Sequence, residues 1–585
     1  MSFYKIIARI VFCLVIICDS IFPFKSANNI VSVIFTKIPA HMQLFARDSQ
    51  DSASAHFEGI VQTAGYDSMV IITYKNNIQW KRDASKLNYS SGNAPFSVKS
   101  KIHAELSEYK FYLFAKNNSA ADSVTVRDSI VCGDVYLING QSNSHPINSQ
   151  ANYRDQYCRS FGKNTNYSAY NPADTLWGLA RGDDAVNFHT GVWGIKLQQY
   201  IKENYNIPVC IINGGSGGSF IENNLRNNSN HTDLNTTYGR LLYRAIKAGV
   251  QNNIKAMMWY QGESNMDTSW NSYKNNFTLL RNAWLENFPG MQKIYIFQVR
   301  MGCVNASRIY QSHLREVHRK LKEFFPEVQL MSTVGVQGHD GCHYSLAGYN
   351  EHALNIFRLI SRDFYYNIDT LNIEPPNIKS AAYTSELRNR IRLIFSGNCN
   401  LVWPNDTLGA SLKNYFYFDT ANYTSVLSYE INKDTLFLNL NNSIYASNIS
   451  YLPNMYYNGT TTLYKGPWLK NTKGVPALSF YKFPLNEIVK VKSNTNIPAN
   501  YYLSQNYPNP FNSSTEINFG IAKKTALKIE VFNSQGELTE LLFNGELNPG
   551  NYSVTWNSNN YASGIYFYQL IINDISFSKK MVLIK

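Results

Sequence analysis

Short apolar runs alternate with polar turns in the first part of the chain, and this pattern predicts strands. Within residues 28–126 the runs are rich in β-branched and aromatic side chains, and Asn, Gly and Ser separate them. They are Val31–Thr36, Ala55–Val61, Met69–Tyr74 and Tyr109–Ala115. Runs of this length between turn residues are typical of β-structure. We therefore predict an N-terminal β-sandwich domain over residues 28–126.

Between residues 127 and 365 the pattern changes to apolar runs that alternate with segments of helical periodicity. The predicted strands are Val135–Ile138, Val209–Ile212, Ala256–Tyr260, Ile294–Val299 and Gln329–Thr333. The segment Ser272–Phe288 places its large apolar residues on one stripe, as an amphipathic helix does. Strands that alternate with helices predict an α/β domain in which helices cover both faces of a parallel sheet.

The last part of the chain returns to short aromatic runs separated by Asn and Gly. This pattern predicts a β-rich domain over residues 366–492 and a further β-sandwich over residues 500–585. The intervening segment Ser493–Asn500 is polar, contains a proline and has no apolar periodicity. We predict that this segment is a linker.

Composition and charge exclude several classes of protein. Hydrophobic residues make up 44% of the chain and charged residues 16%, which is not the composition of a disordered polyelectrolyte. The net charge of +13 comes from 54 basic and 41 acidic residues. These residues are dispersed and form no block of Lys and Arg, so we do not expect a nucleic-acid partner.

The first residues are typical of an export signal. Lys5 and Arg9 precede the short apolar run Ile10–Ile17, and we predict a signal peptide over residues 1–27. No later segment is apolar for long enough to span a bilayer, so we predict no transmembrane segment after signal removal. None of the eight cysteines forms a CxxC pair, which excludes zinc ribbons and thioredoxin-like redox motifs. We also find no ligand spacing for a metal, and we predict no metal and no cofactor.

Polar loops follow four of the predicted parallel strands. They contain Ser142, the glycine block Gly214–Gly218, the segment Gln261–Asn265, and the pair Asp340 and His343. Taken singly, each has a structural explanation as a turn, a buried amide or a helix cap. The carboxyl ends of parallel strands meet at one edge of a sheet, where such folds bind ligands. A hydroxyl, backbone amides, carboxamides and an Asp/His pair at that edge are the groups that acyl transfer at a serine requires.

These loops resemble the SGNH-type hydrolases, and in particular the sialate O-acetylesterase family of carbohydrate acetylesterases. The matching strings are Gly140–Asn143 (GQSN), Gly217–Ser219 with Ile221 and Glu222, Trp259–Asn265 (WYQGESN), and Asp340 with His343 three residues later. The resemblance implies an SGNH or flavodoxin-like three-layer αβα fold. It also implies removal of O-acetyl groups from sialic acid or another acetylated glycan. The segment Asn213–Ser216 departs from the family in lacking a Trp, and Cys342 lies inside the Asp/His motif.

The resemblance also implies a role for each site residue. Ser142 is the expected nucleophile, His343 the general base and acid, and Asp340 the residue that orients His343. The expected oxyanion donors are the Ser142 N–H, the N–H of Gly217 or Gly218, and the side-chain amide of Gln261. Asn265 is the alternative to Gln261.

A second resemblance lies at the C-terminus. Residues 507–512 read YPNPFN, residues 531–536 read VFNSQG and residues 563–566 read SGIY. These strings are similar to those of the type IX (Por) secretion sorting domains of the Bacteroidetes group. The resemblance implies that the type IX machinery is a partner and that the protein is secreted or displayed on the cell surface.

Two alternatives to a sugar esterase remain open at this point. One is a non-catalytic surface protein that binds glycans or mediates adhesion on a hydrolase scaffold. The other is an SGNH esterase or lipase that acts on a non-carbohydrate ester. A separate prediction concerns Cys303 and Cys342, which both follow strand ends and can form a disulfide in an oxidising compartment. Two unpaired buried thiols are the alternative for this pair.

Overall fold

The computed structural model describes residues 30–585 except 119, 164–170, 172, 301–309, 386, 397–398, 408–410, 420–424, 453–466, 487–491, 495–496 and 560. The predicted signal peptide therefore lies outside the described residues. The chain forms two compact units, which divide between Cys132 and Gly133.

The first unit is built from antiparallel strands. They are β1 (Val33–Lys37), β2 (Leu44–Ala46), β3 (Ser52–Val61), β4 (Ser68–Lys75), β5 (Ile78–Lys86), β6 (Ala94–His103), β7 (Tyr109–Lys116) and the first part of β8 (Ala121–Gly140). One sheet has the order β1-β3-β6, and in the other β4 pairs with β5 and β7 while β7 pairs with β8. The rings of Phe57 and Phe111, one from each sheet, meet edge to face at 5.8 Å. The first unit therefore consists of antiparallel sheets with an apolar core between them.

Strand β8 passes from the first unit into the second. Its residues up to Ile130 pair with β7, and its residues from Asp134 onward pair in parallel with β11 (Val209–Asn213) and β12 (Ile254–Tyr260). The predicted boundary between residues 126 and 127 lies inside this strand. A Cβ at Gly133 would lie 1.8 Å from the carbonyl oxygen of Pro208, the residue before β11. Only glycine therefore allows the backbone of β8 to pass so close to this residue.

The second unit begins with a largely parallel sheet, whose further strands are β9 (Cys158–Phe161), β10 (Trp177–Leu179), β13 (Lys293–Gln298) and β14 (Val328–Ser332). The strand order is β10-β9-β11-β8-β12-β13-β14. Within this order, as far as the residues are described, the edge strand β10 runs antiparallel to its neighbour β9 and the other neighbouring strands are parallel. All five strands that were predicted between residues 127 and 365 coincide with β8, β11, β12, β13 and β14.

Five α-helices in the described part of the chain accompany this sheet. They are α1 (Val192–Tyr205), α2 (Thr237–Lys247), α3 (Tyr273–Asn287), α4 (Gln311–Phe324) and α5 (Leu346–Tyr365). Successive residues of β12 point to opposite faces: Trp259 packs on Trp284 of α3, and Tyr260 lies beside His352 of α5. Helices therefore cover both faces, and the α/β part has three layers. Helix α3 is the predicted amphipathic helix, and its apolar stripe is fully buried.

A second set of short strands follows α5. They are β15 (Ile378–Tyr383), β16 (Arg390–Phe395), β17 (Leu401–Val402), β18 (Phe416–Phe418), β19 (Val426–Asn432), β20 (Thr435–Leu440), β21 (Asn448–Tyr451), β22 (Lys470–Asn471) and β23 (Phe480–Pro484). They form the antiparallel sheets β15-β16-β20-β19, β18-β21-β23 and β17-β22. Their common core includes Phe395, Leu438 and Tyr451 and also Val334, from the loop after β14.

The C-terminal strands form two four-stranded antiparallel sheets, β24-β29-β26-β25 and β28-β27-β30-β31. The strands are β24 (Lys492–Asn494), β25 (Tyr502–Leu503), β26 (Ser514–Ile521), β27 (Thr525–Asn533), β28 (Leu538–Leu547), β29 (Gly550–Asn557), β30 (Gly564–Ile572) and β31 (Ile575–Leu583). Their separate core contains Ile529, Trp556 and Tyr568. The predicted linker Ser493–Asn500 is corrected at its start, because Ser493 and Asn494 belong to β24, which pairs with β29. A paired edge strand needs only backbone hydrogen bonds, so a polar sequence does not exclude it.

No helix in the described part of the chain is long and apolar enough to cross a membrane.

Candidate active site

Ser142 lies directly beyond the carboxyl end of β8. The strand ends at Gly140, and a short 3₁₀ helix begins at Ser142. Gly140 has a φ of 139°, and a Cβ there would lie 2.0 Å from the carbonyl oxygen of Tyr260. The turn that presents Ser142 therefore requires glycine at position 140.

His343 reaches Ser142 from the loop that follows β14. Its Nε2 lies 2.9 Å from Ser142 Oγ, within hydrogen-bond distance. The two residues are far apart in the sequence and meet because both follow carboxyl ends of strands in one sheet. The His343 side chain is 46% exposed, so this pair opens to solvent.

Asp340 lies in the same loop but does not share a hydrogen bond with His343 Nδ1. Its Oδ2 is 3.8 Å from Nδ1, and its side chain is 68% exposed. Its Oδ1 accepts hydrogen bonds from the backbone N–H groups of Cys342 and His343, each at 2.7 Å. Partial burial acts to raise the pKa of Asp340, but the bonds from His343 and Cys342 outweigh it and leave that pKa below its ordinary value.

The glycine block follows β11 and passes close to the 3₁₀ helix that begins at Ser142. A Cβ at Gly215 would lie 2.1 Å from Ser144 Oγ, so the approach requires glycine. Gly217 and Gly218 form a turn, and Gly218 has a φ of 68° and is exposed. The Gly218 carbonyl accepts a hydrogen bond from Ser264 Oγ at 3.0 Å, which ties this turn to the loop after β12.

Gln261 and Asn265 are close to the glycine turn, but both are fully buried. Gln261 Nε2 lies 2.7 Å from Asn265 Oδ1, 3.1 Å from the Ser219 carbonyl and 3.3 Å from Gln141 Oε1. Asn265 Nδ2 donates to Glu222 Oε2 at 3.0 Å and to Ser269 Oγ at 2.9 Å. In this structure the two amides therefore connect the loops to one another.

The residues on either side of Ser142 carry interactions that the sequence analysis missed. Gln141 Oε1 lies 3.2 Å from the backbone N–H groups of Gly262 and Ser264. Asn143 Nδ2 donates to Glu263 Oε1 at 2.7 Å and to the Cys342 carbonyl at 2.9 Å. The sequence pointed to these contacts only in that Gln141 and Asn143 lie in the GQSN string and most of their partners lie in the QGESN string.

His145 also lies near the pair, as a wall residue of the site. Burial, followed by the neighbouring His189 and His343, lowers its pKa to about 3. His145 is therefore neutral at ordinary pH. Its Nε2 has no hydrogen-bond partner among the described residues.

Cys342, between Asp340 and His343, is disulfide-bonded. Its predicted partner, Cys303, lies outside the described residues, so this pairing stays a prediction. Cys158, Cys210 and Cys399 are buried free thiols. Among the described residues, no three His, Cys, Asp or Glu side chains are grouped to hold a metal ion.

Two parts of the chain match known protein families. Residues 132–358 match the family of sialic acid-specific acetylesterases among the carbohydrate esterases. This part of the chain is therefore similar to that family of esterases. The matched range contains Ser142, Asp340 and His343, and it begins at the last residue of the first compact unit. Residues 505–585 match the secretion system C-terminal sorting domain. Both resemblances drawn from the sequence are confirmed, and the sorting domain indicates export to a secreted or cell-surface location.

Solved structures similar to the chain include a carbohydrate acetylesterase from Xanthomonas citri, at 18% identity and a TM-score of 0.53. The match covers 77% of this chain and 99% of that one. At this identity the likeness shows the fold alone.

Two further structures are more distantly similar. An Arabidopsis thaliana protein is 19% identical over 40% of this chain and 99% of its own, with a TM-score of 0.32. A family two carbohydrate esterase from Cellvibrio japonicus is 12% identical over 57% of this chain and 94% of its own, with a TM-score of 0.23. None of the curated proteins matches the sequence.

Proposed function

We propose that this protein is an exported serine esterase that removes O-acetyl groups from sialic acid or another acetylated glycan. The observation that carries the proposal is the 2.9 Å distance between Ser142 Oγ and His343 Nε2. This pair lies at the carboxyl edge of the sheet, within a domain that matches a carbohydrate esterase family. The substrate class is taken from that family.

The reaction proceeds in two halves that use the same pair. Ser142 Oγ attacks the acetyl carbonyl carbon, and His343 Nε2 takes the serine proton. The bond to the sugar oxygen then breaks, that oxygen receives the proton from His343, and an acetyl-serine remains. Water attacks the acetyl-serine while His343 takes a water proton. Acetate leaves, and the proton returns to Ser142.

Asp340 contributes its charge to the imidazolium that forms on His343. Its lowered pKa keeps the carboxylate ionised at neutral pH. Since Oδ2 and Nδ1 are 3.8 Å apart and both side chains are exposed, the attraction between them contributes about 1 kcal/mol or less. Asp340 also shapes the loop, because its Oδ1 accepts the two backbone bonds.

The oxyanion of the tetrahedral intermediate needs hydrogen-bond donors near Ser142. The proposed donors are the Ser142 N–H and the N–H of Gly217 or Gly218, in the turn after β11. Gln261 is the proposed side-chain donor and Asn265 the alternative. For Gln261 to serve, one Nε2 hydrogen must leave the Ser219 carbonyl or Asn265 Oδ1 as the intermediate forms.

We further propose that the α/β domain has the SGNH arrangement. The parallel order β9-β11-β8-β12-β13-β14 supports this, with the four catalytic loops at one edge. In the proposed division of the sequence, the β-sandwich at 28–126 is followed by the esterase domain at 127–365 and then by the β-rich domain at 366–492. The sorting domain follows at 500–585.

Turnover of p-nitrophenyl acetate by the wild type and by Ser142→Ala tests the reaction. The matched control is Ser149→Ala, an exposed serine on the loop after the 3₁₀ helix that begins at Ser142. The proposal expects hydrolysis by the wild type and by the control but not by Ser142→Ala. A Ser142→Ala variant that keeps most of its rate contradicts the assignment.

Acetate release from a panel of acetylated glycans tests the substrate class. Release of acetate from one or more glycans supports a sugar esterase. Hydrolysis of simple esters without release from any glycan favours a non-carbohydrate ester. Glycan binding with no hydrolysis of either kind favours an adhesion protein.

A further inference from the structure

The side chain of Asn143, the residue after Ser142, makes three hydrogen bonds, to two loops and a helix. The residue is 1% exposed. Nδ2 donates to Glu263 Oε1 at 2.7 Å and to the Cys342 carbonyl at 2.9 Å. Oδ1 accepts from the Tyr349 hydroxyl at 2.7 Å, at the start of α5. The backbone carbonyl accepts from Trp193 Nε1 at 2.9 Å.

The bond to the Cys342 carbonyl bears directly on the base, because Cys342 precedes His343. The N–H of Cys342 is bound by Asp340 Oδ1, and its carbonyl is bound by Asn143. Both backbone polar groups of Cys342, the residue before His343, are therefore fixed by hydrogen bonds. The imidazole itself is nearly half exposed, so its position depends strongly on this main chain.

Glu263 decides which way the Asn143 amide points. The Cys342 carbonyl can only accept hydrogen bonds, and Glu263 Oε1 accepts here as well, so both face the NH₂ side of the amide. The Tyr349 hydroxyl faces the other side and donates to Oδ1. A flipped amide would place oxygen against two acceptors in a buried site, which is costly. Glu263 is itself fully buried.

We propose that Asn143 is a positioning residue that ties the loop carrying His343 to the nucleophile, and that Glu263 fixes the amide orientation that does this. The proposal rests on the proposed esterase function. It concerns residues that do not contact the reacting atoms and act through the placement of His343. A shift of about 1 Å in such a group can lower turnover by about 10².

The substitution Asn143→Asp tests the bond to the loop. It preserves the size of the side chain and an oxygen for Tyr349, but it replaces the NH₂ with oxygen. The Cys342 carbonyl then faces an acceptor, and the introduced carboxylate lies beside Glu263. We expect kcat to fall by about 10² while KM changes by less than about threefold. The melting temperature falls as well.

The double variant Asn143→Asp with Glu263→Gln separates positioning from stability. The introduced glutamine can donate to the introduced carboxylate, so this arm of the network is restored and the melting temperature rises again. The Cys342 carbonyl still faces oxygen, so kcat stays low. A double variant that recovers kcat together with melting temperature overturns the proposal, because Asn143 would then act through stability alone.

The matched control is Asn148→Asp, the same change on the nearby loop, where Oδ1 accepts from the Gln150 N–H at 2.9 Å and an aspartate can do likewise. This control should keep wild-type kcat. An Asn143→Asp variant that also keeps wild-type kcat overturns the proposal.

Hydrogen exchange of the Cys342 and His343 amides provides a readout that does not need turnover. The proposal expects faster exchange in Asn143→Asp than in Asn148→Asp, because the loop loses one of its two anchors. If the wild type proves inactive, the esterase assignment fails, and unchanged exchange would then overturn the positioning role as well. Faster exchange in that case retains the anchor without the esterase function.

Discussion

Asp340 and His343 lie within ion-pair distance but not hydrogen-bond distance, with 3.8 Å between Oδ2 and Nδ1. Asp340 Oδ1 instead accepts hydrogen bonds from the backbone N–H groups of Cys342 and His343 in its own loop. In a triad whose Asp holds the imidazole through a hydrogen bond, loss of the carboxylate costs about 10⁴ in turnover. From this arrangement we expect Asp340 to contribute less to catalysis than the sequence resemblance implies.

We therefore predict that Asp340→Asn lowers kcat by less than about tenfold, because an exposed ion pair contributes about 1 kcal/mol or less. Asparagine keeps an oxygen for the two backbone bonds, so the loop should hold its shape. His343→Ala, in contrast, removes the base and should lower kcat by about 10² to 10⁴. Steady-state kinetics on an acetyl ester compares the two. If Asp340→Asn is as inactive as His343→Ala, Asp340 must close on Nδ1 during the reaction.

We predict that Ser142 and His343 act as a unit. Once the attacking oxygen is gone, the base has no proton to take, so the losses should not add. Ser142→Ala and the double variant Ser142→Ala with His343→Ala should therefore have the same residual rate. A double variant markedly slower than Ser142→Ala would show that His343 contributes to another route. Circular dichroism of each variant checks that the fold is kept.

Gln261 is predicted to serve both the loop network and the oxyanion. Gln261→Ala leaves the Ser219 carbonyl and Asn265 Oδ1 without this donor in a buried site, which should cost about 1–3 kcal/mol of unfolding free energy. If its amide also meets the oxyanion, kcat falls by about 10²–10³ with little change in KM. Denaturant unfolding and steady-state kinetics measure the two effects separately. Loss of stability with normal kcat would reduce Gln261 to a structural role.

The same pair of measurements on Asn265→Ala decides between the two amides. The alternative assignment expects the loss of kcat in Asn265→Ala and not in Gln261→Ala. In this structure Asn265 Nδ2 donates to Glu222 and Ser269, so we expect Asn265→Ala to affect mainly stability.

The parallel strands and the meeting of Ser142 with His343 could be predicted because both depend on simple patterns. Buried parallel strands are continuous apolar runs, and residues that follow such strands share one edge of the sheet. Other strands lack this signal. In β6, Ser97, Lys99 and Lys101 alternate with buried residues, and β9 contains the buried Arg159. A polar residue within a strand interrupts the continuous apolar run by which the parallel strands were predicted.

The contacts of Asn143, Gln261 and Glu263 could not be predicted from the sequence. Each is a polar residue in a string that suggests chemistry, and the strings alone do not say which amides face solvent and which face other loops. That choice depends on side-chain direction and on acceptors that lie far away in sequence. Gln261 is the clearest case, since its resemblance to an oxyanion donor coexists with full burial in a loop network.

Acid sensitivity is predicted from His352, which is fully buried among the rings of Tyr260, Phe297, Tyr344 and Tyr349. Burial, and then the charge of Arg300, lowers its pKa to about 3 from the ordinary 6.5. Between these values the unfolded chain binds a proton that the folded chain does not. Stability that is present above about pH 6.5 is therefore lost as the pH falls toward 3.

We predict that His352→Phe makes the melting temperature less dependent on pH across that interval. Phenylalanine suits the aromatic surroundings and cannot take up a proton, so one source of acid destabilisation is removed. Neither ring nitrogen of His352 has a hydrogen-bond partner among the described residues, so the substitution leaves no partner unsatisfied there. Melting curves at pH 7.5 and 4.5 measure the effect. An equal drop in both proteins would place the acid sensitivity elsewhere.

The sorting domain is predicted to be needed for export but not for catalysis. Residues 505–585 match a secretion sorting domain and have their own core. Their contacts to the preceding β-rich domain include Asn486 Nδ2 to Glu540 Oε1 at 3.1 Å and Arg392 to the Leu541 carbonyl at 3.1 Å. These contacts are distant in sequence from the catalytic loops, and the β-rich domain keeps a core without them. Deletion of residues 500–585 should therefore leave the kcat of the purified protein within about twofold of the full chain.

In a bacterium that has the export machinery, the deletion should retain the protein inside the cell, as detected by immunoblotting of cell and culture fractions. Full-length Ser142→Ala is the matched control, since it should be exported normally and be inactive. Normal export of the deleted protein would contradict the role of the sorting domain.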